Sequence, residues 1–406
     1  MKNLKVRTGG LCAALCVFAG LAQAEPPHIS TNTEKGLADH VHASDFSEGQ
    51  IPENLQGLEV KDHEPGYWER IEWGLAIDGV LHGNTGNQEF ESRTDGVYGL
   101  DLEALFPTFE HGSVYLKLEA GGGEGVDGRI GTFSGFNDHS WGEDDIQISE
   151  LWYEHRWLDG HVRGRLGRID LTTDFDTNAF ANCEHEQFLS SGFINNLAID
   201  FPDYSIGGMA WWEPTEKFSV GIGYQSNTEW EDVFHDGFGI LEMGWHPQIL
   251  GHQGNYRAYG WASAYGEVRD EENGEVVQDA FTNYGFGFSF DQEMTEHLGL
   301  WCRYGWKPNE AFNSLQTHTS LGVQVMNLAI RPDDAFGMAY GIATLADEYA
   351  ASLTHSASER HLEFYYRVKL HELLSLTPNL QWVENPEGDA DREDALVLGL
   401  RGTFLM

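Results

Sequence analysis

From Trp68 onward, apolar and polar positions alternate in runs of ten to thirteen residues, divided by stretches where the alternation stops. Period two is the strand signature, because successive side chains of a strand point to opposite faces. The clearest run is RHLEFYYRVKLH at 360–371. Leu362, Phe364, Tyr366, Val368 and Leu370 share one face; His361, Glu363, Tyr365, Arg367 and Lys369 share the other. Strands of soluble sheets are usually about 5–6 residues long, whereas a strand tilted across a bilayer needs about 9–11. The run length therefore predicts membrane strands. Sixteen runs are present, near 68–80, 96–106, 112–121, 146–157, 160–170, 204–213, 217–226, 237–247, 254–265, 279–290, 296–306, 315–326, 336–346, 360–371, 374–383 and 394–406.

The links between the runs carry a second pattern. Those after even-numbered runs are mostly short, as in WLDGH and WEPTEK. Those after odd-numbered runs are mostly longer and rich in Gly, Asp, Glu and Asn, as in 122–145, 171–203 and 347–359. A bacterial outer-membrane barrel has an even strand count, short periplasmic turns and long external loops, so with both chain ends in the periplasm it must show this parity. A propeller or a sandwich has no reason to. The predicted fold class is all-β, a 16-stranded antiparallel transmembrane β-barrel. Closure is what makes sheet viable in lipid, since it pairs every backbone N–H and C=O.

The first residues change the compartment. Lys2, Lys5 and Arg7, the apolar stretch LCAALCVFAGLA and Ala22-Gln23-Ala24 together read as a secretory signal peptide over 1–24. No later segment offers the ~18 consecutive apolar residues of a transmembrane helix. Residues 25–66 lack alternation, are acidic, contain His28, His40, His42 and His63, and are expected to form a periplasmic N-terminal arm; the β-barrel is expected over 67–406. The HVH of that arm (His40 and His42) lacks further ligands at a recognisable spacing, so neither a metal nor any cofactor is expected. The chain has 24 basic and 65 acidic residues; removing the leader's three cations takes the formal charge from −41 to −44. Such a chain does not attract nucleic acid. Forty-eight glycines and 13% aromatics, spread along the chain, match neither a disordered chain nor an α/β enzyme. Trp73, Trp152, Trp157, Trp212, Trp245, Trp301 and Trp306 lie near run ends, which predicts for most of them a girdle at the membrane interface. Cys183 and Cys302 are left in the mature chain, in a compartment that permits pairing.

Candidate chemistry lies on the face of the barrel that lines its lumen. The polar phase of the runs turns Lys117, Arg163, Arg165, Arg303, Arg367, Lys369 and Arg401 inward. Guanidinium groups offer forked donors to hydroxyl pairs, and aromatic faces pack on the apolar faces of sugars. The competing reading is that these cations pair with Glu119, Glu150 and Glu363 and only hold the wall together; sequence leaves both open. No G-x-S-x-G elbow and no H-E-x-x-H is present, so the chain is not read as an enzyme. Asp138-His139-Ser140 is read as a polar loop, and GGGEGVDG at 121–128 as a flexible external loop.

The stretch GRIDLTTDFDTNAFANCEHEQFLSSGFINN at 167–196 alternates with neither of its neighbours. GRID, then D-x-N-x-FAN and QFLSSGFINN resemble the signature of the OprB-type carbohydrate-selective porins. HLEFYYRVKLHELLSLTPNLQWVENP (361–386), NLAIDFPDYSIGG and the terminal LGLRGTFLM agree with that family, so the resemblance spans most of 67–406. It implies an outer-membrane channel with one loop folded into the lumen, passing monosaccharides such as glucose by facilitated diffusion. Partners would be small carbohydrates, outer-membrane lipid and lipopolysaccharide, with the barrel a monomer or a homotrimer. Matching the motif makes Asp170, Asp176, Asn178, Asn182, Glu186 and Gln187 the candidates for the constriction, facing Arg163 and Arg165 or Arg367 and Lys369. The alternative on the same fold is a general, cation-preferring porin without sugar selectivity.

Overall fold

The computed structural model describes residues 67–406 except 88, 140–141, 229–232, 235, 267, 270–275 and 330. The signal-peptide and N-terminal-arm expectations fall on 1–24 and 25–66 and lie outside the described residues. A single 3₁₀ turn, Tyr67–Arg70, leads into the first strand. The barrel strands are β1 (Glu72–Asn84), β2 (Arg93–Pro107), β3 (Gly112–Gly123), β4 (Gly142–Trp157), β5 (Val162–Ile169) and β6 (Ser205–Thr215). They continue with β7 (Phe218–Ser226), β8 (Gly237–Trp245), β9 (His252–Tyr265), β10 (Phe281–Thr295) and β11 (Leu298–Trp306). The wall ends with β12 (Leu315–Val325), β13 (Ala335–Leu345), β14 (Glu359–His371), β15 (Leu374–Glu384) and β16 (Ala395–Leu405).

Each strand pairs antiparallel with its neighbour in sequence, and β1 also pairs with β16, from Ala76 opposite Leu405 to Asn84 opposite Val397. The sheet therefore has no edge, which satisfies the backbone demand of the bilayer. All sixteen alternating runs have become wall strands. The main boundary differences are at β1, displaced by four residues toward the C-terminus, at β2 and β4, which begin earlier than their alternation does, and at β10, which ends five residues later. The parity also stands. Links at 108–111, 158–161, 216–217, 246–251, 296–297, 326–334 and 372–373 close one rim, and 170–204 is by far the longest link at the other. The 158–161 turn is tight enough that Leu158, Asp159 and Gly160 all take positive φ (55°, 56° and 90°); only glycine adopts the last without a Cβ penalty.

The two faces of the wall differ as the bilayer requires. In β1, Ala76, Asp78, Val80 and His82 are buried inward while Ile77 and Leu81 stand exposed outward. Leu100, Ile148, Leu166, Ile222, Leu241, Phe286, Leu321, Leu380 and Leu398 continue that outer band around the barrel. An apolar belt of this extent is a liability in water and a match for lipid. Trp73, Trp157, Trp212 and Trp245 lie on the outside at the short-turn ends of their strands, in girdle positions. Trp152 and Trp301 do not join them: both are buried inside, Trp152 stacked on Tyr115 and Trp301 against Phe188 and Phe193. Both carry the inward phase of their strands, and the aromatic partners supplied by the lumen hold them there. Cys302 is a free thiol, so it does not pair with Cys183.

Candidate functional site

The 170–204 loop leaves β5 and turns into the barrel instead of rising above it. Asp170 starts the turn: one carboxylate oxygen accepts from both the backbone N and the Oγ1 of Thr172 at 2.7 Å, capping the 3₁₀ turn Leu171–Thr173. Leu171 and Phe175 then seat on the inner wall, where Phe175 meets Trp211 with ring centroids 5.0 Å apart. They fit because position 223 on β7 is glycine. A Cβ there would stand 2.8 Å from Leu171 Cδ2 and from Phe175 Cε2. Gly223→Leu is expected to unseat this first turn, at an overpacking cost of about 1–3 kcal/mol, and to raise channel conductance while the barrel still folds. Unchanged single-channel conductance would show that the turn does not shape the pore.

Asp176 takes a left-handed backbone (φ 57°) that reverses the chain. Its carboxylate accepts from Asn196 N (2.9 Å) and Tyr259 Oη (2.8 Å) and lies 3.3 Å from Arg303 Nε. Its own N–H donates to Glu242 on β8 (2.9 Å). Asn178 donates to Ser289 Oγ on β10 (3.2 Å), and Ala179 N donates to Asp291 (3.1 Å). Gln187 ties the loop to itself, accepting from Asn182 N (2.7 Å) and donating to Ala179 O (2.9 Å). Phe188 then packs among Phe193, Trp301 and Tyr365. A short helix, Ser191–Ile194, follows.

Arg303 on β11 is the centre of this arrangement. Its guanidinium is wholly buried and donates to Ala181 O (2.6 Å), Phe193 O (2.7 Å), Asp176 O (2.9 and 3.1 Å) and Asn182 Oδ1 (2.9 Å). Arg401 on β16 repeats the device at the other limb, donating to Glu184 O and to Gln187 O (3.0 Å for the latter). Glu363 on β14 supplies the opposite polarity, accepting from Leu189 N (2.7 Å) and Ser190 N (3.1 Å). Neither open reading of the inward cations described Arg303 and Arg401, which bind loop backbone, and Glu363, which the second reading set against a cation, accepts from loop backbone instead. Lys117 does follow the wall-pairing reading, 2.5 Å from Glu119 and 3.2 Å from Asp101.

Beside the loop's entry lies a charged fork that keeps some solvent contact. Arg163 Nη2 and Arg165 Nη1 hold the two oxygens of Asp174 at 2.6 and 2.7 Å, and both arginines reach Glu154 Oε2, at 3.3 and 3.1 Å. Burial alone would raise the Asp174 carboxyl; Arg163 and Arg165 outweigh it and hold it below the ordinary value. Arg165 lies 3.8 Å above the Trp152 ring. The two arginines thus face Asp174 rather than Asp170 or Asp176, which are turned to the cap and to Arg303. Asp174 was legible only as one more acid of the stretch, since the motif does not mark it. Across the lumen, Glu186 pairs with Arg367 at 2.6 Å, with side chains 23% and 18% exposed. The backbone of Lys369 donates to Asp334 (3.0 Å).

GGGEGVDG at 121–128 was expected to be a flexible external loop, and the structure corrects this. Gly121–Gly123 are the end of β3, and Val126, Ile130 and Phe136 are buried against Val383, Ala395 and Val397. Asp138 and His139 are buried too, with Asp138 N donating to Leu189 O (2.8 Å). Ser134 O accepts from Gly192 N (2.8 Å), and Glu359 on β14 gathers Phe133 N and Ser134 N (both 2.9 Å). Apolar residues spaced through a Gly- and Asp-rich link left too faint a pattern to foretell a second infolded loop.

This support has a pH dependence. Asp127 accepts from Phe136 N (2.7 Å), while its other oxygen is buried without a hydrogen bond. Burial raises its carboxyl from the ordinary value of 3.8 to about 7, against the lowering effect of the Phe136 N–H. An acid raised on folding favours the folded loop below its unfolded value and loses that contribution as pH rises through about 7. Hydrogen-exchange protection across 124–139, taken relative to the intrinsic rate at each pH, is expected to fall from pH 5 to pH 8. Asp127→Asn, which keeps the acceptor and cannot ionise, is expected to flatten the profile; an equal slope in both proteins would exonerate Asp127.

The comparisons with known proteins agree with this architecture. The family described as "Carbohydrate-selective porin, OprB family" matches residues 92–406. Porin B of Pseudomonas aeruginosa is 23% identical over 323 residues, covering 64% of this chain and 68% of that protein. Porin AaxA of Chlamydia abortus is 20% identical over 330 residues, covering 79% and 68%. A solved structure, the "High pH structure of Pseudomonas putida OprB", superposes with a TM-score of 0.70 at 19% identity, over 83% of this chain and 94% of that one. With the closed barrel, its apolar belt and the infolded loop already in place, the family match over 92–406 settles that this outer-membrane channel of a Gram-negative bacterium belongs to the carbohydrate-selective porin, OprB family.

Proposed function

We propose that the channel passes carbohydrates, monosaccharides such as glucose first among them, by facilitated diffusion. One observation carries this reading: the infolded loop sets a fork of opposite charges, Arg163, Arg165, Asp174 and Glu154, beside the stacked Trp152 and Tyr115 inside the barrel. A sugar crossing such a site exchanges water for guanidinium donors and carboxylate acceptors on its hydroxyls and lays an apolar face along an aromatic edge. Each exchange is nearly even in free energy, so the solute enters and leaves again, as conduction requires. Nothing is consumed and no bond is made. In this reading Arg163, Arg165, Glu186, Arg367 and Lys369 face the solute. Asp170, Asp176, Asn178, Asn182 and Gln187 act one step back, holding the loop that sets the width of the pore.

The runner-up is a general, cation-preferring porin, favoured by the formal charge of −41. Planar-bilayer recordings of the full chain separate the two. The sugar reading expects discrete channels whose current glucose blocks, and liposome swelling that differs among sugars of equal size. Swelling rates that follow size alone, with sodium strongly preferred over chloride, would replace it with the general porin.

A further inference from the structure

Three elements that are far apart in sequence bring metal-ligand chemistry to one buried point, and neither the loop latches nor the charged fork uses it. Asp78 comes from β1, His139 from the 124–141 loop and His185 from the 170–204 loop. They are 1%, 5% and 1% exposed. His185 Nδ1 is hydrogen-bonded to Asp78 Oδ2, and His139 Nε2 lies 3.9 Å from the same oxygen. The imidazole centroids are 4.9 Å apart, and one ligand atom from each residue lies within 4.8 Å of the others.

A proton shared between His185 and its carboxylates explains part of this cluster. His185 Nε2 lies 3.4 Å from Asp101, so its ring bridges Asp78 and Asp101 without any ion. That account leaves His139 out. Its Nε2 is buried, makes no hydrogen bond among the described residues, and lies 3.9 Å from the shared carboxylate. A buried ring nitrogen with no partner is a liability that folded proteins seldom carry without a use. Two imidazoles and one carboxylate suit a borderline divalent ion. Tetrahedral zinc, with bonds of about 2.0–2.2 Å, needs ligand atoms about 3.3 Å apart, within a small side-chain shift of the spacing seen. The carboxylate is already oriented from behind, since Thr403 Oγ1 donates to Asp78 Oδ1 at 2.6 Å.

We propose that Asp78, His139 and His185 form a binding site for one zinc-like divalent cation, which staples both infolded loops to the barrel wall. The fourth position is left to water. The inference stands whatever solute the channel passes. Arg303 pins the first limb of the 170–204 loop; the ion would pin the second, beside Arg401.

The test uses the untagged full-length protein, folded, freed of metal with a chelator and titrated with zinc alone. The His139→Ala variant removes a nitrogen that makes no hydrogen bond, so it is expected to fold, as read by the heat-dependent gel mobility of closed barrels. Wild type is expected to bind about one zinc more than His139→Ala does, or to bind it at least tenfold more tightly. His111→Ala, in an exposed short turn, is expected to behave as wild type. Should His139→Ala not fold, zinc-edge X-ray absorption of the loaded wild type decides: nitrogen ligands of the imidazole type support the site, and oxygen-only coordination overturns it. Equal stoichiometry and affinity in wild type and His139→Ala would also overturn it.

Discussion

Arg303→Ala is expected to open the channel, raising single-channel conductance several-fold and erasing discrimination among solutes, with the barrel itself intact. One buried guanidinium makes five hydrogen bonds to the 170–204 loop, four of them to the backbone carbonyls of Asp176, Ala181 and Phe193. Removing one partner from a buried, charge-assisted network typically costs about 3–5 kcal/mol, because the groups left behind keep their burial and lose their bonds. Here the stranded groups belong to a loop with an alternative: it can leave the lumen and find water. The wall has no such exit, since its strands are joined by closure. The free energy lost is therefore drawn from loop docking and not from barrel stability. Lysine should not rescue, as one ammonium cannot reach acceptors that a planar fork spans. Arg401→Ala, which frees only Glu184 O and Gln187 O, is expected to have a smaller effect of the same sign. Conductance within about twofold of wild type in Arg303→Ala would mean that the aromatic packing of Phe175 and Phe188 holds the loop unaided.

The barrel was legible in the sequence and the latch was not, and the two differ for a physical reason. A membrane wall imposes a constraint at every position: outward residues meet lipid, inward residues do not, and the period of two is repeated until it cannot be missed. His361, Glu363 and Tyr365 were assigned inward on that basis, and they are buried inside. The infolded loop has no period. Its direction rested on family likeness alone, and its supports are pairs of residues distant in sequence, such as Arg303 with Ala181 or Glu363 with Leu189. Spacing holds no record of such pairs. Burial inside the barrel also defeated the ordinary reading of polar links as solvated surface. Asp138 and His139 look like loop chemistry and sit at a buried junction because the lumen, once two loops enter it, acquires a core of its own.

The same reasoning sharpens what the charged fork should do. Arg163 and Arg165 were expected to face Asp170, Asp176 or the other motif residues; they instead hold Asp174 with both its oxygens engaged while also sharing Glu154. Replacing both arginines with alanine leaves Asp174 and Glu154 facing the lumen with two positive charges gone. A unit charge at about 4 Å contributes roughly 1–4 kcal/mol at dielectric constants between those of water and a protein surface. A change of about 1.4 kcal/mol in the potential met by a passing ion is tenfold in a partition ratio. The double variant is therefore expected to raise the sodium-to-chloride permeability ratio by roughly tenfold, and to lose glucose block, because the donors that replace water on the sugar have gone. The single variants should fall between, with Arg165→Ala the more disruptive to packing because its guanidinium also covers Trp152 at 3.8 Å. Reversal potentials in a salt gradient and current block by glucose, measured on one bilayer, read both consequences at once. If ion selectivity rises while glucose block is untouched, the fork sets the field of the pore and the sugar contacts lie elsewhere, with Glu186 and Arg367 the next pair to replace.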